Sequence, residues 1–135
     1  MDANATLDEL EGPGWADPDY PSAMVQRIRA LGRIPLREFT PEDYRLIITQ
    51  HRALNTLLPR ALEILEAEPF AEGDYYAGDL LIAITQIPRE SWQKHSELQA
   101  RAKRVVAAAI ARLPDVDEID RDQLEPMLRD AYERL

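Results

Sequence analysis

Residues 57–81 read LLPRALEILEAEPFAEGDYYAGDLL, a stretch that specifies two helices and the acidic, tyrosine-bearing loop between them. Leu57, Leu58, Ala61, Leu62 and Leu65 recur at helical spacing, while Glu63, Glu66 and Glu68 fall on the other faces. Pro59 fits only a first helical turn, where its missing N–H costs little, so the pattern predicts a helix starting near Leu57. Glu68-Pro69 predicts its end, because the residue before a proline is driven out of the helical region. Leu80, Leu81, Ala83, Ile84 and Ile87 form the second apolar run, with Asp79 or Asp74 placed to cap it. The intervening Glu72-Gly73-Asp74-Tyr75-Tyr76-Ala77-Gly78-Asp79 has two readings. In one, glycine supplies unusual backbone angles, aspartate caps the helix and the tyrosines lie over the core. In the other, Glu72, Asp74, Tyr75, Tyr76 and Asp79 form an exposed recognition patch, tyrosine giving a large contact area at small entropic cost.

Working outward toward the N-terminus, Phe39-Thr40-Pro41-Glu42-Asp43 is the clearest helix start. Thr40 caps, Pro41 takes the first helical position, the acids complement the dipole, and Phe39 staples onto Tyr44. This helix carries Tyr44, Ile47 and Ile48, fading near Asn55. Before it, Ser22 caps a helix with Met24, Val25, Ile28 and Leu31 on its apolar face, and Gly32 is placed to end it in the left-handed conformation. Residues 1–21 are rich in glycine and proline and predict an extended arm packed on the body through Leu7, Leu10, Trp15 and Tyr20. Residues 22–135 predict a single helical domain. Toward the C-terminus, Pro88 to Trp92 reads as a short turn of helix with Trp92 in the core. Ser96, with Gln99 completing a capping signature, opens the longest helix, striped by Leu98, Ala102, Val105, Val106, Ala109, Ile110 and Leu113. A final helix holds Leu124, Met127, Leu128, Ala131, Tyr132 and Leu135. The expectation is an all-α fold, a compact bundle of about six helices with an extended N-terminal arm.

At 135 residues the chain is long enough for a real core. It has no cysteine, which excludes disulfides, a thiol nucleophile and zinc ribbons. His51 and His95 stand far apart and read as structural, not as ligands. The beginning of the chain, MDANATLDELEGPGW, lacks the basic and apolar regions of a signal peptide, and no apolar stretch approaches a membrane-spanning length, so the expectation is a soluble cytoplasmic protein without a membrane partner. A net charge of -9 disfavours direct nucleic-acid binding. That charge alternates in blocks: acidic in 1–25, basic in 26–60, acidic in 61–88, basic in 89–114 and acidic again to the end. Such blocks either fold against one another or leave one acidic face exposed to steer a basic partner. The run Asp115, Asp117, Glu118, Asp120, Asp122 lacks the central glycine of an EF-hand. No phosphate loop, nucleophile elbow or metalloprotease pair occurs. The remaining enzymatic option, a carboxylate site of Glu72, Asp74 and Asp79 acting as acid and base or holding Mg²⁺, has no supporting motif. The expectation is no enzyme, no cofactor and no metal.

The order of residues from Arg33 to Trp92 adds a resemblance. Ile34-Pro35-Leu36, then Glu38-Phe39-Thr40 with Glu42-Asp43, Gln50, the stretch 57–81 and Trp92 after a proline resemble the all-helical immunity proteins of bacterial contact-dependent growth inhibition systems. Pro69 followed by Glu72-Gly73-Asp74-Tyr75 and Gly78-Asp79-Leu80-Leu81 carries most of it. The chain departs from that pattern near Ala53, where a glycine is usual, near Thr56, where an aromatic is, and at Ala77, where a proline is frequent. The resemblance implies a stoichiometric, non-enzymatic inhibitor, monomer or weak dimer, whose partner is a cognate toxin domain of basic character, a nuclease. The contact patch it suggests is Glu72, Asp74, Tyr75, Tyr76 and Asp79 with Glu66 and Glu68 beside it, and the acidic ends at 1–19 and 115–133 are the competing faces. A helical adaptor of another bacterial system is the alternative.

Overall fold

A computed structural model describes residues 3–16 and 22–135. The described residues form eight α-helices and no β-strand: α1 Leu7–Glu11, α2 Ala23–Leu31, α3 Pro41–Thr49, α4 Leu54–Ala67, α5 Asp79–Thr85, α6 Arg89–Gln93, α7 Ser96–Ala111 and α8 Glu118–Arg134. The all-α expectation holds. The two helices beyond the expected six are the five-residue α1 and α6, the latter being the short turn foreseen at Trp92.

The start of α3 forms as its residues dictate. The Thr40 hydroxyl accepts from the Asp43 N–H, the Asp43 carboxylate accepts from the Thr40 N–H, and the Phe39 and Tyr44 rings meet edge to face with centroids 5.3 Å apart. Helices α3, α4 and α5 pack together, and α7 lies between α4 and α8. Tyr44, Ile47, Ile48, Leu57, Leu62, Leu80 and Ile84 are all essentially solvent-free in the resulting core. Trp92 is buried there as well. Burying one such aliphatic side chain contributes roughly 1.5–3 kcal/mol, so these shared apolar faces, not helix propensity, hold the short helices in place.

The N-terminal segment differs from the extended arm that its glycines and prolines suggest. Gly12, Pro13 and Gly14 lie beyond Glu11, and Thr6 caps a short helix before them by accepting from the Glu9 N–H. Leu7 enters the core completely, whereas Leu10 stays exposed. Backbone bonds from Asp8 to Gly32, Leu36 to Ala5 and Arg37 to Ala3 stitch this segment to the body. Trp15 packs at the core edge and donates its indole N–H to Asp8 at 2.7 Å. Tyr20 lies outside the described residues. Gly32 is right-handed, with φ -61°, not left-handed as expected. Its role is room: a Cβ there would come within 2.7 Å of the Trp15 ring and also collide with the Asp8 carboxylate.

Two helix starts and the order of helix lengths differ from the sequence expectation. Helix α4 begins at Leu54, three residues earlier than its apolar pattern indicated, so Pro59 lies inside it. Helix α7 starts after His95 without a side-chain cap, and the Gln99 amide donates to the Leu135 carbonyl instead of closing a capping box. Helix α8, with 17 residues, exceeds the 16 of α7 and is the longest. The turn into α4 forces His51 and Ala53 to φ 54° and 51°. Ala53 therefore occupies the left-handed region in which its Cβ is strained, in the neighbourhood where the resemblance leads one to look for a glycine. Ala53→Gly is expected to raise stability by about 1 kcal/mol, read as a higher midpoint in urea unfolding with an unchanged slope.

Candidate acidic loop site

The loop from Glu68 to Asp79 is closed on itself before any side chain is considered. Gly78 donates to the Phe70 carbonyl at 3.1 Å, and Glu72 and Ala77 form an isolated antiparallel bridge. Gly78 adopts φ 94°, the left-handed turn that glycine makes without strain.

Beneath the loop lies the arrangement that fixes it. Glu42 and Asp79 are both buried, only 5% and 4% exposed. Three successive backbone N–H groups of the loop turn down onto their carboxylates. Gly73 donates to Asp79 Oδ1 at 2.6 Å, Asp74 to Glu42 Oε1 at 2.9 Å and Tyr75 to Asp79 Oδ2 at 3.1 Å. Such consecutive amides form a concavity suited to an anion, here filled by the protein's own side chains. Arg45, one turn along α3, grips Glu42 through Nε and an Nη, each at 2.6 Å, and lies 4.0 Å from Asp79. This bidentate bond holds the Glu42 carboxyl below its ordinary pKa against the opposing effect of burial, with the Asp74 N–H assisting. Gly73 has no room for a side chain, since a Cβ would stand 2.5 Å from Glu42 and 2.9 Å from Asp79.

The seven residues singled out from sequence thus divide into three groups. Asp79 is not at the surface, and it does not cap α5 either. Gly78 takes the N-cap position, and both Asp79 oxygens accept from the loop backbone. Glu66 and Glu68 are exposed at the end of α4 but tied to α7, Glu66 to Arg101 and Glu68 to Arg112, each at 2.7 Å. Those arginine hydrogen bonds lower both glutamate pKa values. Outermost are Glu72, Asp74, Tyr75 and Tyr76. Asp74 makes a loose ion pair with Arg27 at 4.0 Å. Tyr75 is 71% exposed with the Arg45 guanidinium 4.5 Å from its ring centre, and Tyr76 is partly exposed.

The alternating charge blocks therefore fold largely against one another, as Glu66–Arg101, Glu68–Arg112 and Asp74–Arg27 show. Sequence reasoning missed Glu42 and Arg45 as parts of the site. Both stand in a helix start whose acids are explained by capping and dipole alone, and only the fold brings them under a loop some thirty residues on. Among the described residues no group of three His, Asp or Glu side chains converges in a way that could hold a metal, and no helix is long and apolar enough to cross a membrane.

Fold and site together define a small helical module that presents a braced acidic loop carrying exposed tyrosine. The family model of CDI immunity proteins matches residues 9–102, and the chain belongs to that family. No curated protein and no solved structure matches it.

Glu42→Gln leaves Arg45 without its bidentate carboxylate in a mostly buried place and is expected to cost roughly 2–4 kcal/mol. Because the folded-state pKa of Glu42 is depressed, its contribution is complete above the unfolded glutamate value of about 4.3 and is lost as pH falls from there through the folded value. Urea unfolding at neutral pH and at pH 3–4 checks this: the gap between wild type and Glu42→Gln should narrow in acid.

Proposed function

We propose that this chain is the cytoplasmic immunity protein of a contact-dependent growth inhibition effector, binding and neutralising that effector's C-terminal toxin domain, a nuclease with a basic surface. Membership of the family of CDI immunity proteins carries this reading. The chemistry of the loop supports it. With a net charge of -9, the chain is suited to attract a domain built to bind phosphate, since long-range attraction between opposite charges accelerates productive encounter. Glu72 and Asp74 stand on the outer side of the loop beside two tyrosines, the residue type that most often anchors an interface. Inhibition is stoichiometric: the protein occupies or shields the substrate cleft and needs no chemistry of its own.

Rigidity is the second support. A loop whose backbone is bonded to buried carboxylates loses little conformational freedom on docking, so less of the contact energy is spent on ordering it.

Co-expression of the full chain with the toxin domain encoded beside its gene is the direct test. The wild type is expected to restore growth, and a Glu72→Ala, Asp74→Ala double variant with an unchanged melting temperature to restore it less well. With purified proteins, the association rate should fall at least about tenfold between low and physiological-to-high salt while dissociation changes little. A well-folded wild type that neither binds nor protects against that toxin contradicts the proposal.

A further inference from the structure

We infer that Tyr75, Met24 and Asp74 form a receptor for one long basic side chain, arginine or lysine, of the partner protein, and that Arg27 occupies its place in the free molecule. This rests on the reading that the chain binds a toxin domain and specifies what that domain must present.

A depression of about 250 Å³ lies between the first turns of α2 and the loop, lined by Ala23, Met24, Arg27, Arg45, Asp74 and Tyr75 among others. Its walls are apolar where a side-chain stem would lie. Met24, expected on the buried face of α2, is instead 45% exposed, and Tyr75 keeps 71% of its surface open. One face of the Tyr75 ring is covered by Arg45, whose charge is matched by Glu42 and Asp79. The open face therefore remains attractive to a second cation.

The polar end of the depression is held only weakly. Arg27 and Asp74 sit at 4.0 Å, with side chains 50% and 63% exposed, and an ion pair of that kind adds almost nothing to stability. It is readily exchanged for a better one. The lining holds the acids Glu42 and Asp74 and the cations Arg27 and Arg45. Glu42 is engaged by Arg45 and the Asp74 N–H, so Asp74 is the loosely held carboxylate, and the chain's net charge of -9 disfavours approach of an acidic side chain. A purely apolar one would strip water from Asp74 without replacing it. A basic side chain meets every requirement: methylenes over Met24 and the ring, and the charged head on Asp74. Arg45 is a positioning residue here, fixing the plane of Tyr75 while itself clamped by Glu42.

The test is calorimetric titration of the full chain and its variants with the toxin domain encoded beside its gene. Tyr75→Ala and Asp74→Asn are each expected to weaken binding by about tenfold or more, as loss of a central aromatic or a charged partner does. Tyr75→Phe should stay within about threefold, since the ring is what matters. Arg27→Ala should tighten binding by roughly two- to fivefold, because the competitor for Asp74 is gone. That variant changes a half-exposed side chain and keeps the test decisive if Tyr75→Ala alters the loop. Unchanged affinity for both Tyr75→Ala and Asp74→Asn, or weaker binding by Arg27→Ala, overturns the inference while leaving the proposed function standing. Loss with Tyr75→Ala but not with Asp74→Asn also overturns it, pointing to an apolar anchor. A wild type that does not bind the toxin domain removes the proposed function, and the inference with it.

Discussion

The acidic loop depends on one guanidinium. Arg45 binds Glu42 through two hydrogen bonds, stands beside Asp79 and underlies the ring of Tyr75, so a single cation connects helix α3, the start of α5 and the outermost aromatic of the loop. Two carboxylates this well buried would repel each other if left alone, and burying either one uncompensated is costly. Arg45 bonds Glu42 and stands 4.0 Å from Asp79, and the two carboxylates accept from three consecutive loop amides. The loop shape follows from that electrostatic arrangement together with its backbone closure at Gly78 and Phe70 and the packing of Phe70 and Ala71 against the core.

The same arrangement separates structural acidity from recognition. Asp79 and Glu42 act inward, Glu66 and Glu68 tie α4 to α7, and Glu72 and Asp74 remain at the surface with the tyrosines. A chain with this much negative charge thus spends part of it on folding. What the loop presents outward is a small acidic patch on a stiff base; under the proposed function, both its geometry and the sign of its field are set before a basic partner makes contact.

How much of this the sequence made legible depends on whether the cause was local. The capping box at Thr40 and Asp43, the stapled Phe39–Tyr44 pair and the apolar faces of α3, α4 and α7 are short-range patterns, and they formed where the residues placed them. The start of α4 is not legible locally, because Pro59 reads as a first-turn proline while the helix in the fold runs back to Leu54. Gly32 reads locally as a helix terminator, but its reason is spatial: Trp15 and Asp8, brought in from the N-terminal segment, leave no space for a Cβ. In the site, the exposure of Asp74, Tyr75 and Tyr76 fits a polar loop. The burial of Asp79 was hidden, because an aspartate before an apolar helix reads as a cap, and its real partners, the amides of Gly73 and Tyr75, are defined only once the loop has closed. Met24 was hidden for the opposite reason: helical spacing placed it among core residues, and the fold left that part of α2 uncovered.

The most direct measurement of the central claim is hydroxyl-radical footprinting of the protein alone and in complex with its toxin domain, since methionine and tyrosine are readily labelled and are exposed on both candidate surfaces, the loop with α2 and the helix α8. If the braced loop is the docking surface, labelling of Met24, Tyr75 and Tyr76 falls on complex formation while that of Met127 and Tyr132 on α8, which are also exposed, is unchanged. Protection of Met127 and Tyr132 with Met24 and Tyr75 labelled as in the free protein would contradict the account and move the interface to the acidic C-terminal helix.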